Sequence, residues 1–211
     1  MKILHISDTH CQHRQLTDLT EADVIVHSGD FTFAGTIEEA TDFMDWFCDL
    51  PYKYKVFIAG NHDHCLYESD LEGLDNNTYY LCNSSIDIEG VKFHGLPMFM
   101  GDVSENRYAE YIASIPKDVD VLISHQPPMG ILDLSRKIHY GERLLLRQVK
   151  INPPRLHLFG HIHDAYGKKE EEGVIYSNAA IVDDQYVLTN TPRLYEIEEG
   201  RGLICSLPLI L

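Results

Sequence analysis

With 211 residues, of which 44% are hydrophobic and 24% charged, the chain can bury one sizeable core and reads as a single domain over residues 1–211. A formal net charge of −16 excludes the basic face that grips a long nucleic-acid backbone. No stretch is long and apolar enough to cross a membrane. Met1-Lys2-Ile3-Leu4-His5 lacks the apolar core and cleavage site of a signal peptide. The five cysteines form no CxxC pair, so reduced thiols and a cytoplasmic location are expected.

Lys2 to Ser7 is a short apolar run that predicts a strand, and it ends in Ser7-Asp8-Thr9-His10. Asp23 to Ser28 predicts a second, ending in Gly29-Asp30. Thr36, with Glu39 three residues on, makes a capping box, and Ile37, Ala40, Met44 and Phe47 recur with helical spacing before Pro51. Tyr54 to Ala59 predicts a third strand, ending in Gly60-Asn61-His62-Asp63. Ile86-Asp87-Ile88 and Val91-Lys92-Phe93 alternate in polarity about Glu89-Gly90, which predicts a hairpin. A helix is expected over Ser104 to Ile115, with Tyr108, Ile112 and Ile115 inward. Val119 to Ser124 predicts a strand that runs into His125, and a third helix holds Leu144, Leu145 and Val149. Leu156 to Phe159 predicts a strand ending in Gly160-His161-Ile162-His163. Val174 to Tyr176, Leu194 to Ile197 and Leu203 to Ser206 add further strands. Nearly continuous apolar strands alternating with helices predict a mixed α/β protein with a two-sheet core. Oligomeric state is open; the apolar end from Leu203 to Leu211 suits an inner strand or a dimer contact.

Each central strand thus runs into a polar cluster. Ligands of α/β proteins gather at the carboxyl ends of strands, so these clusters are expected on one rim. Asp8, His10, Asp30, Asn61, His125, His161 and His163 supply carboxylate, amide and imidazole without thiolate, which suits manganese, iron, zinc or nickel. In extended chain, residues i and i+2 point the same way, so Asp8 and His10, or His161 and His163, can enter one pocket. Glycines 29, 60 and 160 let the backbone turn and approach closely.

Other residues carry two readings. His13 and His64 either contact substrate or are polar loop residues, while His27 reads as a satisfied core histidine. Phe31 and Phe33 either stack on a nucleobase or pack a helix. Asp164, Tyr166 and Asn178 are rim candidates, and Asp183-Asp184 reads as a solvated turn.

The ordered set D-x-H, G-D, G-N-H-D, His after a strand and G-H-x-H resembles the calcineurin-like metallophosphoesterase superfamily. Val26-His27-Ser28-Gly29-Asp30-Phe31-Thr32, His125-Gln126-Pro127-Pro128 and Ser177-Asn178-Ala179-Ala180 are similar to its metallophosphoesterase-domain-containing branch. The resemblance implies a four-layer αββα sandwich, two mixed sheets flanked by helices, with two divalent metals, manganese first among the candidates. It implies that Asp8, His10 and His163 hold one metal, that Asn61, His125 and His161 hold the other, and that Asp30 bridges them. A bridging hydroxide would attack phosphorus, with His62 as general acid and Asp63 orienting it; Asn61, His62 and His13 would touch substrate. Where Ser/Thr phosphatases continue with Asp-Arg-Gly, this chain has Phe31-Thr32-Phe33-Ala34-Gly35, which disfavours phosphoproteins. Few arginines stand in these blocks to clamp a dianion, so a small phosphodiester such as a cyclic nucleotide is the expected substrate. The alternatives are a phosphomonoesterase, a nuclease, or a non-catalytic metal-binding scaffold.

Overall fold

A computed structural model describes residues 1–17 and 19–198, and the backbone of 204–207. In chain order the elements begin with β1 (Lys2–Ile6), β2 (Val24–His27), α1 (Ile37–Asp49), β3 (Tyr54–Phe57), β4 (Thr78–Tyr80), β5 (Ser84–Ile88) and β6 (Val91–Leu96). They continue with α2 (Met100–Ser104), α3 (Arg107–Ser114), β7 (Val121–Ser124), β8 (Leu134–Ser135), β9 (Ile138–His139) and α4 (Arg143–Ile151). The last are β10 (Leu156–Phe159), β11 (Gly167–Glu171), β12 (Val174–Asn178), β13 (Arg193–Ile197) and β14 (Ile204–Leu207).

The apolar runs are continuous because both faces of each central strand are covered. Along β1, Ile3 packs between the sheets while Leu4 and Ile6 pack toward α1. Val24 and Val26 against Ile25, and Val56 and Ile58 against Phe57, repeat the division. In the other half, Val121, Ile123, Leu156 and Leu158 face the shared core, while Leu122 and Phe159 meet Tyr108 and Ile112 of α3 and Leu145 and Val149 of α4. The period of two in a strand is what sorts these neighbours to opposite faces. The result is the expected four-layer αββα sandwich.

The two sheets have orders β14-β13-β1-β2-β3-β4 and β11-β12-β10-β7-β6-β5. Within the first, β1 to β4 run parallel; within the second, β6, β7, β10 and β12 do. Antiparallel strands β13 and β14 close one edge of the first sheet, and β11 and β5 close both edges of the second. The parallel strands of each sheet end on the same side, and the bridge Ser7–Ala180, with the Ile181 amide donating to Ser7 O at 2.9 Å, ties those ends together. No helix among the described residues is long and apolar enough to cross a membrane.

Several expectations need adjusting. The capping box of α1 is present, but its buried face is Ala40, Phe43, Trp46 and Phe47; Ile37 is 71% exposed. Ile37 is the first residue of the helix, and apolar spacing alone does not reveal that it faces solvent. The helix expected over Ser104 to Ile115 forms as α3, with Tyr108, Ile112 and Ile115 buried, and Asn106, at a left-handed φ of 60°, separates it from α2. On α4, Leu144 is exposed while Leu145 and Val149 are buried. The hairpin turns at Glu89 and Gly90, both with positive φ, as expected. Of the C-terminal run, 204–207 forms a strand; Leu203 and the residues after 207 lie outside the described residues.

The sandwich also buries histidines that no metal reading needs. His157 meets Ser124 Oγ at 2.8 Å and His94 meets Ser85 Oγ at 2.8 Å, and each leaves its other ring nitrogen unpartnered. Burial pushes His157 down to about 3 and His94 down to about 4. A depressed histidine keeps the folded state from taking the proton that the unfolded chain takes near pH 6.5, so its stabilisation is present above that pH and lost below it. From pH 7.5 to 5.0 each should cost ~2 kcal/mol, or ~4 kcal/mol together. Urea unfolding of chelator-treated protein at the two pH values measures this. A His94→Gln variant should remove ~2 kcal/mol of that pH dependence, and an unchanged slope would remove His94 from the account.

Candidate metal centre

The polar clusters follow the carboxyl ends of β1, β2, β3, β7 and β10, and the loops stay paired past the strands. Asp8 N donates to Gly29 O at 2.9 Å and His10 N to Asp30 O at 3.1 Å. Asp8, His10, Asp30 and His161 all have positive φ, between 40° and 68°. Non-glycine residues held left-handed are strained and tend to mark functional sites. The extended-chain reason for the D-x-H and H-x-H spacings is therefore wrong: left-handed turns, not pleating, aim these side chains. Gly29, at φ 101°, is where no side chain fits; a Cβ would lie 2.7 Å from Gly60 N and from His125 Nδ1. At Gly160 a Cβ would collide with the Asp8 carboxylate, whose oxygens accept from His161 N at 3.0 and 3.1 Å.

The imidazoles are fixed from behind. His10 Nδ1 meets Thr32 O at 3.0 Å, His125 Nδ1 meets Ser28 O at 2.9 Å, and His163 Nδ1 meets Asp183 O at 2.9 Å. A carbonyl can only accept, so each Nδ1 carries the hydrogen and each Nε2 presents its lone pair inward when the ring is neutral. These Nε2 atoms converge with the acids. His163 Nε2 lies 3.3 Å from Asp8 Oδ1 and 3.4 Å from His10 Nε2. His125 Nε2 lies 3.2 Å from Asp30 Oδ2 and 3.1 Å from Asn61 Oδ1. Donors held ~2.1 Å from one ion at right angles stand ~3.0 Å apart, close to these separations. Asp8, His10 and His163 form one group, and Asp30, His125 and His161 another, with the donor atoms of each within 4.8 Å of one another. Asp30 Oδ2 is also 4.0 Å from His10 Nε2, so this carboxylate faces both groups. The donor set and its spacing fit two divalent cations.

The electrostatics agree. Burial works against ionising Asp8, but the His163 hydrogen bond and the surrounding imidazoles hold it well below the usual carboxylate range. His125 is fully buried, which disfavours its charge, yet the Asp30 carboxylate outweighs that and pushes it up to about 9. Burial, with His125 adding to it, pushes His161 down to about 4, so it stays neutral. A cation entering beside His125 must displace a proton, so metal affinity should weaken on acidification.

His62 stands beside these groups. Its ring is 4.8 Å from His10 between centroids, its Nδ1 meets Phe33 O at 2.8 Å, and its amide donates to Asp30 Oδ1 at 2.8 Å. Two other expected site residues do not join it. Asp63 is fully buried and points away: Oδ2 accepts from Asp30 N and Gly60 N, both at 2.8 Å, and Oδ1 from Thr32 N at 2.9 Å, with the Thr32 hydroxyl at 2.8 Å. Its role is to tie the Asp30 loop to the Gly60 loop, not to orient the His62 ring. Burial and the nearby Asp30 charge push it up to about 7. Asp63→Asn replaces an acceptor with a donor facing backbone N–H groups, which should destabilise the chain by ~3 kcal/mol. That corresponds to a fall in Tm of about 6–12 °C for a chain of this size, readable by calorimetry. His13 is likewise no substrate contact: it is buried under Trp46 and Phe43 and meets Asp42 Oδ2 at 3.0 Å.

Phe31 stacks on Phe43 at 4.2 Å, which settles its two readings as helix packing. His27 is the core histidine expected, held by Thr9 Oγ1 at 3.0 Å and Gly29 N at 3.2 Å. Asn178 is buried, with its amide donating to Ile162 O at 2.9 Å, and the Tyr166 hydroxyl turns to Thr191 O at 2.8 Å. Asp164 does reach the rim. A cavity of about 340 Å³ opens over the centre, lined by Asp30, Asn61, His62, His161 and His163 and then by Ser135, Tyr140, Asp164, Asp184 and Tyr186. Ser135, Tyr140 and Tyr186 were not identified from the sequence, and Asp184 lines the cavity rather than a plain surface turn. They come from the β8–β9 segment and the loop before β13, which have no motif. The carbonyls behind the imidazoles leave no residue-type signal at all.

Comparison with known proteins points the same way. The family model for calcineurin-like phosphoesterases matches residues 1–165. A UPF0046 protein of Caenorhabditis elegans is 33% identical over 85% of this chain and 69% of its own length. The human Metallophosphoesterase domain-containing protein 1 is 30% identical over 93% of this chain and 71% of its own. Among solved structures, one crystal structure superposes with a TM-score of 0.69 at 14% identity over 98% of both chains. A protein characterised as a novel archaeal phosphodiesterase does so with a TM-score of 0.51 at 16% identity over 98% of this chain and all of its own. At those identities the structural likeness shows the fold.

Proposed function

The chain belongs to the calcineurin-like phosphoesterase family and is a metal-dependent phosphoesterase; from that premise we propose that it hydrolyses small phosphodiesters at a binuclear centre held by Asp8, His10, His163, Asp30, Asn61, His125 and His161. The observation that carries the diester reading is the cavity wall. Among its lining residues there is no lysine or arginine, while Asp164 and Asp184 add carboxylates beyond the metal-binding set. The guanidinium beside that wall, Arg136, lies 3.5 Å from Asp184 Oδ2, so a phosphomonoester dianion would compete with a carboxylate for it. A diester brings a single negative charge and a second organic group to fill the space.

Bound divalent cations supply charge neutralisation for the phosphoryl oxygens and acidify a water. The chain's own residues do the rest. Asp8 and Asp30 stay ionised, and the backbone carbonyls of Thr32, Ser28 and Asp183 hold three imidazoles in register. Water adds to phosphorus and releases one proton to solvent. The ester oxygen leaves with the electron pair of its bond to phosphorus and takes a proton from protonated His62. The Phe33 carbonyl occupies Nδ1–H of that ring, so the proton in flight is the one on Nε2.

Parallel assays of chelator-stripped protein reloaded with manganese, zinc, iron or nickel, on a nitrophenyl diester and nitrophenyl phosphate, test the reading. Diester turnover should exceed monoester turnover by at least tenfold, as a clamp weakened by ~1.4 kcal/mol would dictate. Faster monoester hydrolysis would favour a phosphomonoesterase instead. Two bound metals with no turnover on either would favour a scaffold.

A further inference from the structure

Tyr186 is 38% exposed and lines the cavity, yet its backbone sits at φ 61°. A left-handed conformation is an outlier for a bulky residue and persists only where its surroundings enforce it. Here they do. Asp183 Oδ1 accepts from Gln185 N at 2.9 Å and Val187 N at 3.0 Å, Tyr186 N donates to Asp183 O at 3.0 Å, and Gln12 Nε2 donates to Tyr186 O at 2.8 Å. The same Asp183 carbonyl fixes His163. The turn therefore couples the position of one aromatic ring to that of a metal-binding imidazole.

The ring stands over the centre. Its centroid is 4.9 Å from His10, 5.5 Å from His163 and 6.4 Å from His62. Phe33, 52% exposed, meets Tyr186 edge-on at 5.3 Å and lies 6.2 Å from His62. Two exposed aromatic rings thus form a right-angled wall beside the ring that faces the departing oxygen. Both rings keep exposed area beside His62.

We propose that Phe33 and Tyr186 form a subsite for a planar leaving group, making them specificity-determining residues for diesters whose departing alcohol is a phenol or carries a nucleobase. This rests on the diester reading and on His62 facing the leaving oxygen. Stacking on aromatic faces is tolerant of which base or aryl group arrives, because every such ring has a π face.

The test uses the full chain, metal-loaded, with two diesters that share a methyl spectator: nitrophenyl methyl phosphate and trifluoroethyl methyl phosphate. Comparing each variant with wild type on each substrate cancels their intrinsic reactivities. Tyr186→Leu and Phe33→Leu should each lose about tenfold more kcat/KM on the nitrophenyl diester than on the trifluoroethyl one, with the difference mostly in KM. Tyr186→Phe should recover the nitrophenyl rate, since the ring and not the hydroxyl does the stacking. Equal losses on both substrates, with metal content kept, would overturn the subsite while leaving the diester reading intact. Absence of wild-type turnover on both would overturn that reading and the subsite with it.

Discussion

Asp30→Asn is expected to lower diester turnover by at least about three orders of magnitude, close to 4 kcal/mol at the transition state, and to reduce the metal bound per chain. Asp30 is buried where the two donor groups meet, 3.2 Å from His125 Nε2 and 4.0 Å from His10 Nε2. Two dications ~4 Å apart repel by ~17 kcal/mol even at an effective dielectric of ~20, so a shared negative charge between them is required. Asparagine keeps the shape and an oxygen but removes that charge. One effect opposes the loss: without the Asp30 carboxylate, His125 no longer sits at about 9 and gives up its proton more readily. That gain is at most ~3 kcal/mol at pH 7, well below the lost attraction of one carboxylate for two dications. The loss therefore wins. Metal analysis with diester kinetics checks it, and a variant that keeps two metals and wild-type turnover would remove Asp30 as the bridge.

The parts of this molecule legible in the sequence are those where residue type does the physical work. The continuous runs Ile3-Leu4-His5-Ile6 and Val24-Ile25-Val26 announced strands covered on both faces, and the structure covers them so. The ligand types at Asp8, Asp30, His125 and His161 were visible because only a few side chains bind hard cations, and the structure brings them within donor range. What stayed hidden depends on backbone path. Asp63 follows His62 directly, which suggested partnership, but its side chain turns inward because the Asp30, Gly60 and Thr32 amides need an acceptor there. His13 lies near Asp8 and His10 in sequence, yet the short 3₁₀ turn over His13–Gln15 carries it beneath Trp46. Tyr186 belongs to no motif, and a left-handed turn delivers it to the cavity. Ile37 fits the helical stripe of α1 but is exposed.

His62→Asn should separate proton chemistry from metal chemistry. His62 lies within donor range of His10 and Asp30, so two roles compete for its Nε2: ligand or acid. The geometry favours the acid. Its ring is held by the Phe33 carbonyl, the outermost of the four carbonyls that hold imidazoles here, and it is partly exposed at the cavity where His10 and His125 are buried. If it is the acid, the variant should keep both metals and lose ~10²–10⁴ in kcat/KM on diesters with alkyl leaving groups, which need a proton to depart. On nitrophenyl diesters, whose leaving group is stable as an anion, the loss should be much smaller. If His62 is instead a ligand, metal content falls and both substrates suffer together. The leaving-group dependence thus carries the assignment: a uniform loss with metals retained would show that His62 positions the phosphoryl group without giving it a proton.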